Sequence, residues 1–377
     1  MTTPTGSPYA INWDVTYACP LRCIHCYSES GRRAASQLSL KDMLRVTEEL
    51  ISLRPASIQL SGGEPLLVKG LFQVAERISQ AGIPLALYTS GWLLEEAMLP
   101  ELLRLFTWVH VSVDGATAGL HDAIRGRPGS FKRALRALTL LDGAVAAARQ
   151  RGDTASQFQF GIDCVVVRSN FARLEEFCTE LAPRFPQLSF LTFQAAIPSG
   201  LATRPGFVEH ELLTDEQAHW LASDEGRQHL SALVPGTVQL QLSDSRALQM
   251  HPEHFASGTA ANYLMHVEAD GAVRSMAIYE GTVGRLLEEP ASVLWERALQ
   301  RHSDPFVIET LTPVRTMKDW AEAARRLDSH FGSEEVRARI ARRPDYFPSS
   351  APAVRPPIIS LRKPAPWRLE TEPSQEP

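Results

Sequence analysis

Three of the five cysteines fall within eight residues, in "CPLRCIHC" at 19–26, with the spacing C-x3-C-x2-C. Cys19, Cys23 and Cys26 could hold zinc, pair as one disulfide with a thiol left over, or hold three corners of an iron–sulfur cluster. A structural zinc site takes four ligands, commonly from two C-x2-C units. Here the fourth would have to be His25, and aiming both His25 and the adjacent Cys26 at one metal strains the loop. A cubane cluster is normally held by four thiolates, so three would leave one iron open to something else. The residues favour that last reading. The other two cysteines stand apart. Cys178, in "FARLEEFCTEL", is in line with Leu174 and Leu181, as a core helix residue would be. Cys164, in "FGIDCVVV", reads as a buried inert thiol of a strand.

Bulk properties bound the setting for this chemistry. The chain has 377 residues, 44% hydrophobic and 21% charged, as soluble globular enzymes do. A net charge of −5 gives no electrostatic case for nucleic acid or an anionic membrane as partner. No apolar run reaches the ~18 residues of a membrane span, and "MTTPTGSPYA" is not a secretory signal. An odd number of cysteines without such a signal points to reduced thiols in a cytoplasmic setting.

The elements that must position the cysteines alternate. Strand-like runs occur at 10–16, 57–61, 84–90, 108–114, 160–167 and 188–194. Amphipathic helical runs lie between them. The first starts at Ser39, with Asp42 as capping partner, and shows Met43, Val46, Leu50 and Leu53 on one face; others are 70–81, 93–106, 130–150 and 171–182. Six β/α units in succession imply a parallel sheet, either open or as an incomplete barrel. The cysteine loop follows the first strand, "SGGEP" (61–65) the second, "TSG" (89–91) the third and "SVDG" (112–115) the fourth. These stretches gather at the carboxyl ends of the strands, where α/β enzymes build their sites. Residues 200–260 read as helix and loop. A hairpin turning at Asp270-Gly271 follows, then a helix ending "WERAL" and a helical stretch over 316–343. The divisions expected are 1–200, 201–346 and a proline-rich, extended tail over 347–377.

Together, "CPLRCIHC", "SGGEP", "TSG" and "SVDG" resemble the radical S-adenosylmethionine (SAM) superfamily over residues 10 to about 195. The resemblance implies a partial (β/α)6 TIM-like barrel with one 4Fe–4S cluster and SAM as cofactors. Cys19, Cys23 and Cys26 would hold the cluster, and SAM would chelate the open iron and be cleaved to a 5′-deoxyadenosyl radical. His25 stands at the family's aromatic position. Gly62, Gly63 and Glu64 match the motif that receives the SAM amino group, where glycines allow close approach and a carboxylate suits an ammonium. Ser90 and Ser112 are candidates for SAM contacts, and Arg125 for its carboxylate. "HDAIRGRPGSFKRAL", "DGAVRSM" and "GRLLEEPASVLWE" resemble the subfamily with a small α+β SPASM/twitch appendage, but Met276 stands where an auxiliary-cluster cysteine would be. No cysteine follows Cys178, and the resemblance implies that Cys164, if it points into the barrel, would be the obvious hydrogen donor to a substrate radical.

Without a second cluster to take an electron, redox-neutral outcomes gain weight: epimerisation, rearrangement or fragmentation. The barrel begins near residue 10, without a peptide-recognition domain before it. That favours a small-molecule substrate (a sugar, amino acid or tetrapyrrole intermediate) over a ribosomally made peptide brought by a separate partner. A flavodoxin- or ferredoxin-type electron donor is the implied protein partner. A non-catalytic cluster or zinc module is the reading from another class. His110, His121 and Asp114 are possible acids, bases or substrate contacts. His254, His266 and Glu268 suggest a metal less well than they suggest strand alternation.

Overall fold

A computed structural model describes residues 6–153, 158–253, 264–275 and 278–348. His254, Met276 and the tail beyond Pro348 lie outside the described residues. The six expected strands form at β1 (Ala10–Asp14), β2 (Ser57–Ser61), β3 (Leu85–Thr89), β4 (Trp108–Ser112), β5 (Gln159–Val166) and β6 (Phe190–Ala195), each parallel to the next. The crossover helices are α1 (Leu40–Ser52), α2 (Leu71–Gln80), α3 (Leu99–Leu105), and α4 (Ala118–Arg125) with α5 (Ser130–Gln150). Ser39 caps α1 by accepting from the Asp42 N–H at 3.2 Å. The unclosed parallel sheet with helices on its outer face is a partial TIM-like barrel.

Strand alternation divides two environments. Ile11, Trp13, Ile58, Leu60, Leu85, Leu87, Val109, Val111, Ile162, Leu191 and Phe193 face the helices and are buried. They meet Met43, Val46 and Leu50 of α1, Leu71, Val74 and Ile78 of α2, and Leu138 and Leu141 of α5 in one core. The opposite face carries Asn12, Gln59, Tyr88, Asp163 and Gln194 around a cavity.

The structure departs from the expected elements in three places. The run 171–182 is not one helix but short turns around a π turn at Phe177–Leu181. Pro183 has no N–H for the Thr179 carbonyl and its ring would collide there, so the wider turn relieves the clash. Within 200–260, β7 (Gln239–Ser243) pairs in parallel with β6. The hairpin of β8 (Leu264–Val267) and β9 (Ala272–Arg274) turns at Gly271, as expected, and β10 (Thr282–Arg285) extends it. β8 also lies parallel along the free edge of β1, so one ten-stranded sheet runs β10-β9-β8-β1-β2-β3-β4-β5-β6-β7. The helical stretch after residue 316 is two helices, Met317–Phe331 and Glu334–Ala341, the second capped by Ser333. Among the described residues no helix is long and apolar enough to cross a membrane.

Candidate active site

The cysteine loop leaves the end of β1 and is tied to its neighbours by backbone. Gly63 N–H donates to the Thr16 carbonyl at 2.7 Å and Glu64 N–H to that of Ala18 at 2.9 Å. Arg22 and Ile24 N–H groups donate to Arg125 and Ile124 carbonyls in α4, and Leu201 N–H donates to that of Cys26. The glycines of SGGEP are required by this closeness. A Cβ on Gly63 would sit 2.0 Å from the Ala18 oxygen, and Gly62 holds φ +117° with the Thr16 oxygen 2.5 Å from any Cβ. Four guanidiniums hold the loop's outward carbonyls. Arg22 donates to Cys19 and Leu21, Arg32 to Arg22 and Cys23, Arg127 to Pro20, and Arg204 to Ile24.

Each of the three sulfurs has a polar neighbour. Leu21 N–H lies 3.4 Å from Cys19 Sγ, Arg125 Nη1 3.7 Å from Cys23 Sγ, and the Ser28 hydroxyl 3.6 Å from Cys26 Sγ. Burial pushes the Cys19 thiol up to about 12, and its neighbours Cys23 and Cys26 add to the rise. Burial likewise pushes Cys23 to about 11, against the pull of Arg125. Bare thiolates are therefore disfavoured here. Three clustered soft ligands, two of them buried thiols that a bound cation would help to ionise, in a loop ringed by guanidiniums, fit an iron–sulfur cluster.

Behind the loop lies a buried ionic core. Asp114 accepts from Arg125 Nη2 at 2.9 Å, from His25 Nε2 at 2.8 Å and from the Val165 N–H at 3.0 Å, with Arg125 Nε 2.6 Å away. Burial opposes its charge, but Arg125 and His25 hold its carboxyl far below the usual carboxylate range. Both edges of the Arg125 fork are thus engaged. Arg125 forms an ion pair with Asp114 that backs Cys23 and His25. Glu64 is likewise engaged. Its buried carboxylate accepts from Thr89 Oγ1 at 2.7 Å, Ser90 N–H at 2.9 Å, Leu66 N–H at 3.2 Å and the Ser90 hydroxyl, so it pins SGGEP to the end of β3. Burial raises it despite these donors. Ser90 is occupied by the same contact. Ser112 ends β4 opposite Asp163.

Cys164 faces the helices. Asp163 and Val165 line the cavity while Cys164, between them, is fully buried in the outer core with Asn170 Nδ2 3.7 Å from its sulfur. On this parity its sulfur stands on the opposite face of the strand from the cavity. Cys178 is in the core as expected. His110 is stacked between Tyr88 and Phe190, and burial lowers it to about 3. His121 accepts from the Asp114 N–H, and burial lowers it to about 4. Both are neutral packing groups at physiological pH. His266 and Glu268 do not converge on a metal; His266 bonds Asn12, and Glu268 pairs with Arg274.

The cavity, about 230 Å³, also brings in residues not singled out from the sequence: Asn12, Tyr27, Gln59, Asp163 and Gln194. Tyr27 donates to Asp14 at 2.5 Å, and Asp14 lies 3.5 Å from His266 Nε2. The available signal was the alternation itself. Parallel strands usually read as continuous apolar runs, yet "AINWD", "SIQLS" and "FLTFQA" place a polar residue at every second position.

Asp163 is the cavity's one carboxyl among the described residues. Burial raises it to about 7, opposed by Arg125 and reinforced by Asp114. A carboxyl raised on folding binds its proton more tightly in the folded state, so its contribution to stability falls as pH rises from about 4 to about 7 and is level above that. Asp163→Asn is expected to raise the melting temperature at pH 8 and leave it nearly unchanged at pH 4. Equal shifts at both pH values, followed by circular dichroism, would refute that assignment.

Comparison with known proteins gives the same picture. The model of the radical SAM superfamily matches residues 13–145. Over 198 residues the chain is 32% identical to the mycofactocin maturase MftC of Mycobacterium tuberculosis, covering 52% of this chain and 47% of that protein. Over 202 residues it is 30% identical to the AdoMet-dependent heme synthase of Methanosarcina barkeri, covering 53% and 54%. The chain thus spans about half the length of these curated relatives. Streptococcus suis SuiB shares the fold in its complex with SAM, with a TM-score of 0.60 at 14% identity over 80% of this chain and 68% of SuiB. Its complex with the precursor peptide SuiA gives 0.58 at 14% identity over 92% and 76%.

Proposed function

We propose that this chain, whose residues 13–145 match the radical SAM superfamily, is an enzyme that cleaves SAM reductively and abstracts hydrogen from a substrate held in the barrel cavity. The observation that carries this reading is the seam between the cysteine loop and SGGEP, where Gly63 N–H meets the Thr16 carbonyl at 2.7 Å. It sets three thiols beside glycine backbone with no Cβ in the way. Cys19, Cys23 and Cys26 hold the 4Fe–4S cluster, Gly62 and Gly63 offer backbone to the SAM amino group, and His25 and Ser112 flank the cofactor. When bound, cluster and SAM supply the 5′-deoxyadenosyl radical. Arg125 and Asp114 keep His25 and Cys23 in place, and Glu64 with Ser90 keeps SGGEP against the loop.

For the substrate, the lining carries carboxamides from Asn12, Gln59 and Gln194, the Asp163 carboxyl and no Lys or Arg among the described residues. Such a wall suits peptide amides or an amine and lacks the cations that a polycarboxylate tetrapyrrole calls for. We therefore favour a peptide residue as substrate, in keeping with the SuiA complex of SuiB. An amino-bearing small molecule is the second reading, supported by the cavity's small volume. All five cysteines are described and only the loop cysteines stand at the site. With no thiol donor in the cavity and no cysteine after Cys178 for an auxiliary cluster, rearrangement or fragmentation is favoured over epimerisation. The electron donor is a flavodoxin- or ferredoxin-type protein.

The test is anaerobic reconstitution followed by reduction with SAM present. Formation of 5′-deoxyadenosine is expected, and rising output on adding a precursor peptide encoded beside this chain's gene would support the peptide reading. A reconstituted cubane that leaves SAM intact under strong reductant would overturn the activity.

A further inference from the structure

On the far side of the cysteine loop from the barrel cavity lies a larger cleft of about 760 Å³, between Tyr17 and Arg33 of the loop segment, the β8–β9 hairpin and the helix Glu334–Ala341. Its floor is a closed ionic network. Arg274 pairs with Glu268 and Glu280, Arg339 with Glu29 and Glu280, and Arg343 with Glu29 at 2.7 Å. Three carboxylates thus face three guanidiniums and neutralise one another. Arg33 is the remainder. It makes no ion pair within 4 Å among the described residues, stacks with its Cζ 3.8 Å from the Tyr17 ring centre, and has a buried Nη1 without a hydrogen-bond partner. From beyond contact distance it helps Arg274 and Arg339 hold Glu280 ionised.

Two more donors are idle at the same place. The Tyr17 hydroxyl has no partner although the residue is 1% exposed. Arg343 is 5% exposed in its side chain, and its Nε likewise has none. An unsatisfied buried donor costs on the order of 1–3 kcal/mol, and more when charged, so three in one cleft call for an acceptor. The lining as a whole carries six arginines against five carboxylates, an excess of positive charge.

We propose that this cleft is a second binding site, for an oxyanion group (carboxylate or phosphate), held by Arg33, Tyr17 and Arg343. Arg33 supplies the charge, Tyr17 a directed hydroxyl donor, and Arg343 Nε a third hydrogen bond. A ligand there bridges the cysteine-loop segment and the C-terminal helix without entering the barrel.

The cluster-loaded full chain should be titrated with inorganic phosphate and, separately, succinate by calorimetry, with ionic strength held constant by chloride. Saturable binding of at least one is expected. Arg33→Gln should weaken it roughly tenfold or more and Tyr17→Phe roughly threefold or more, as loss of a charged hydrogen bond predicts. Saturation by phosphate alone assigns a phosphoryl ligand, and by succinate alone a carboxylate. The site is overturned if neither saturates, or if both variants bind as the parent does. Should Arg33→Gln fail to fold, Tyr17→Phe alone decides, since it removes one oxygen and keeps the ring under Arg33.

Discussion

Replacing Cys23 with alanine is expected to take iron from roughly four atoms per chain to near zero, and 5′-deoxyadenosine from readily measured to undetectable. Cys23 is the most enclosed of the three clustered sulfurs and has the Arg125 guanidinium 3.7 Å away. Two thiols remain after the change, and neither lies where it could take over the lost corner, because backbone bonds from Arg22, Ile24 and Leu201 fix the loop's course. Cys178→Ala, in the outer core, should keep both signals. Iron counting and chromatography of the nucleoside product check the pair. A variant lacking Cys23 that still cleaves SAM would remove the loop from the mechanism.

Asp114→Ala should have the largest effect on stability. It takes the counter-charge from Arg125, which is buried and has no second carboxylate in contact among the described residues. Breaking one side of a buried pair costs about 3–5 kcal/mol, because the other charge is left uncompensated. For a chain of this size that corresponds to a fall in melting temperature of about 5 °C. The double variant Asp114→Ala with Arg125→Leu should recover much of the loss, since no lone charge remains. The sign with pH follows from the depressed carboxyl. Its stabilisation is present above the ordinary carboxylate range and is lost only as acid reaches the folded-state value below it. Thermal melts of the two variants at pH 7 decide the matter; a double variant no more stable than the single would place Asp114's role elsewhere.

What could be read from the sequence was local. The cysteine spacing, the glycines of SGGEP, the six strands and the Asp270-Gly271 turn each depend on residues a few positions apart, and all appear where the pattern put them. What escaped was pairing at a distance. Glu64 and Ser90 are 26 positions apart, and nothing near either announces that the carboxylate is occupied. Arg125 looked like a free cation because Asp114 reads as the end of "SVDG". Cys164 turned on strand parity, which was decidable: a carboxyl at Asp163 and apolar Ile162 put the cavity on the odd side. β7 was overlooked although "QLQLS" alternates, because it stands among helical residues. No local signal placed β8 on β1, since the paired residues are about 250 positions apart in the chain, as with Asn12 and His266.

That last pairing bears on how the molecule is made. Synthesis runs from the amino terminus, so β1 and the cysteine loop emerge about 250 residues ahead of the strand that covers β1's outer edge, residues 264–267. Until then β1 presents an unpaired edge able to capture another strand. The wall that carries the cysteines therefore cannot be completed until residues 264–267 have been translated, and delivery of iron and sulfide to a settled loop belongs after that point.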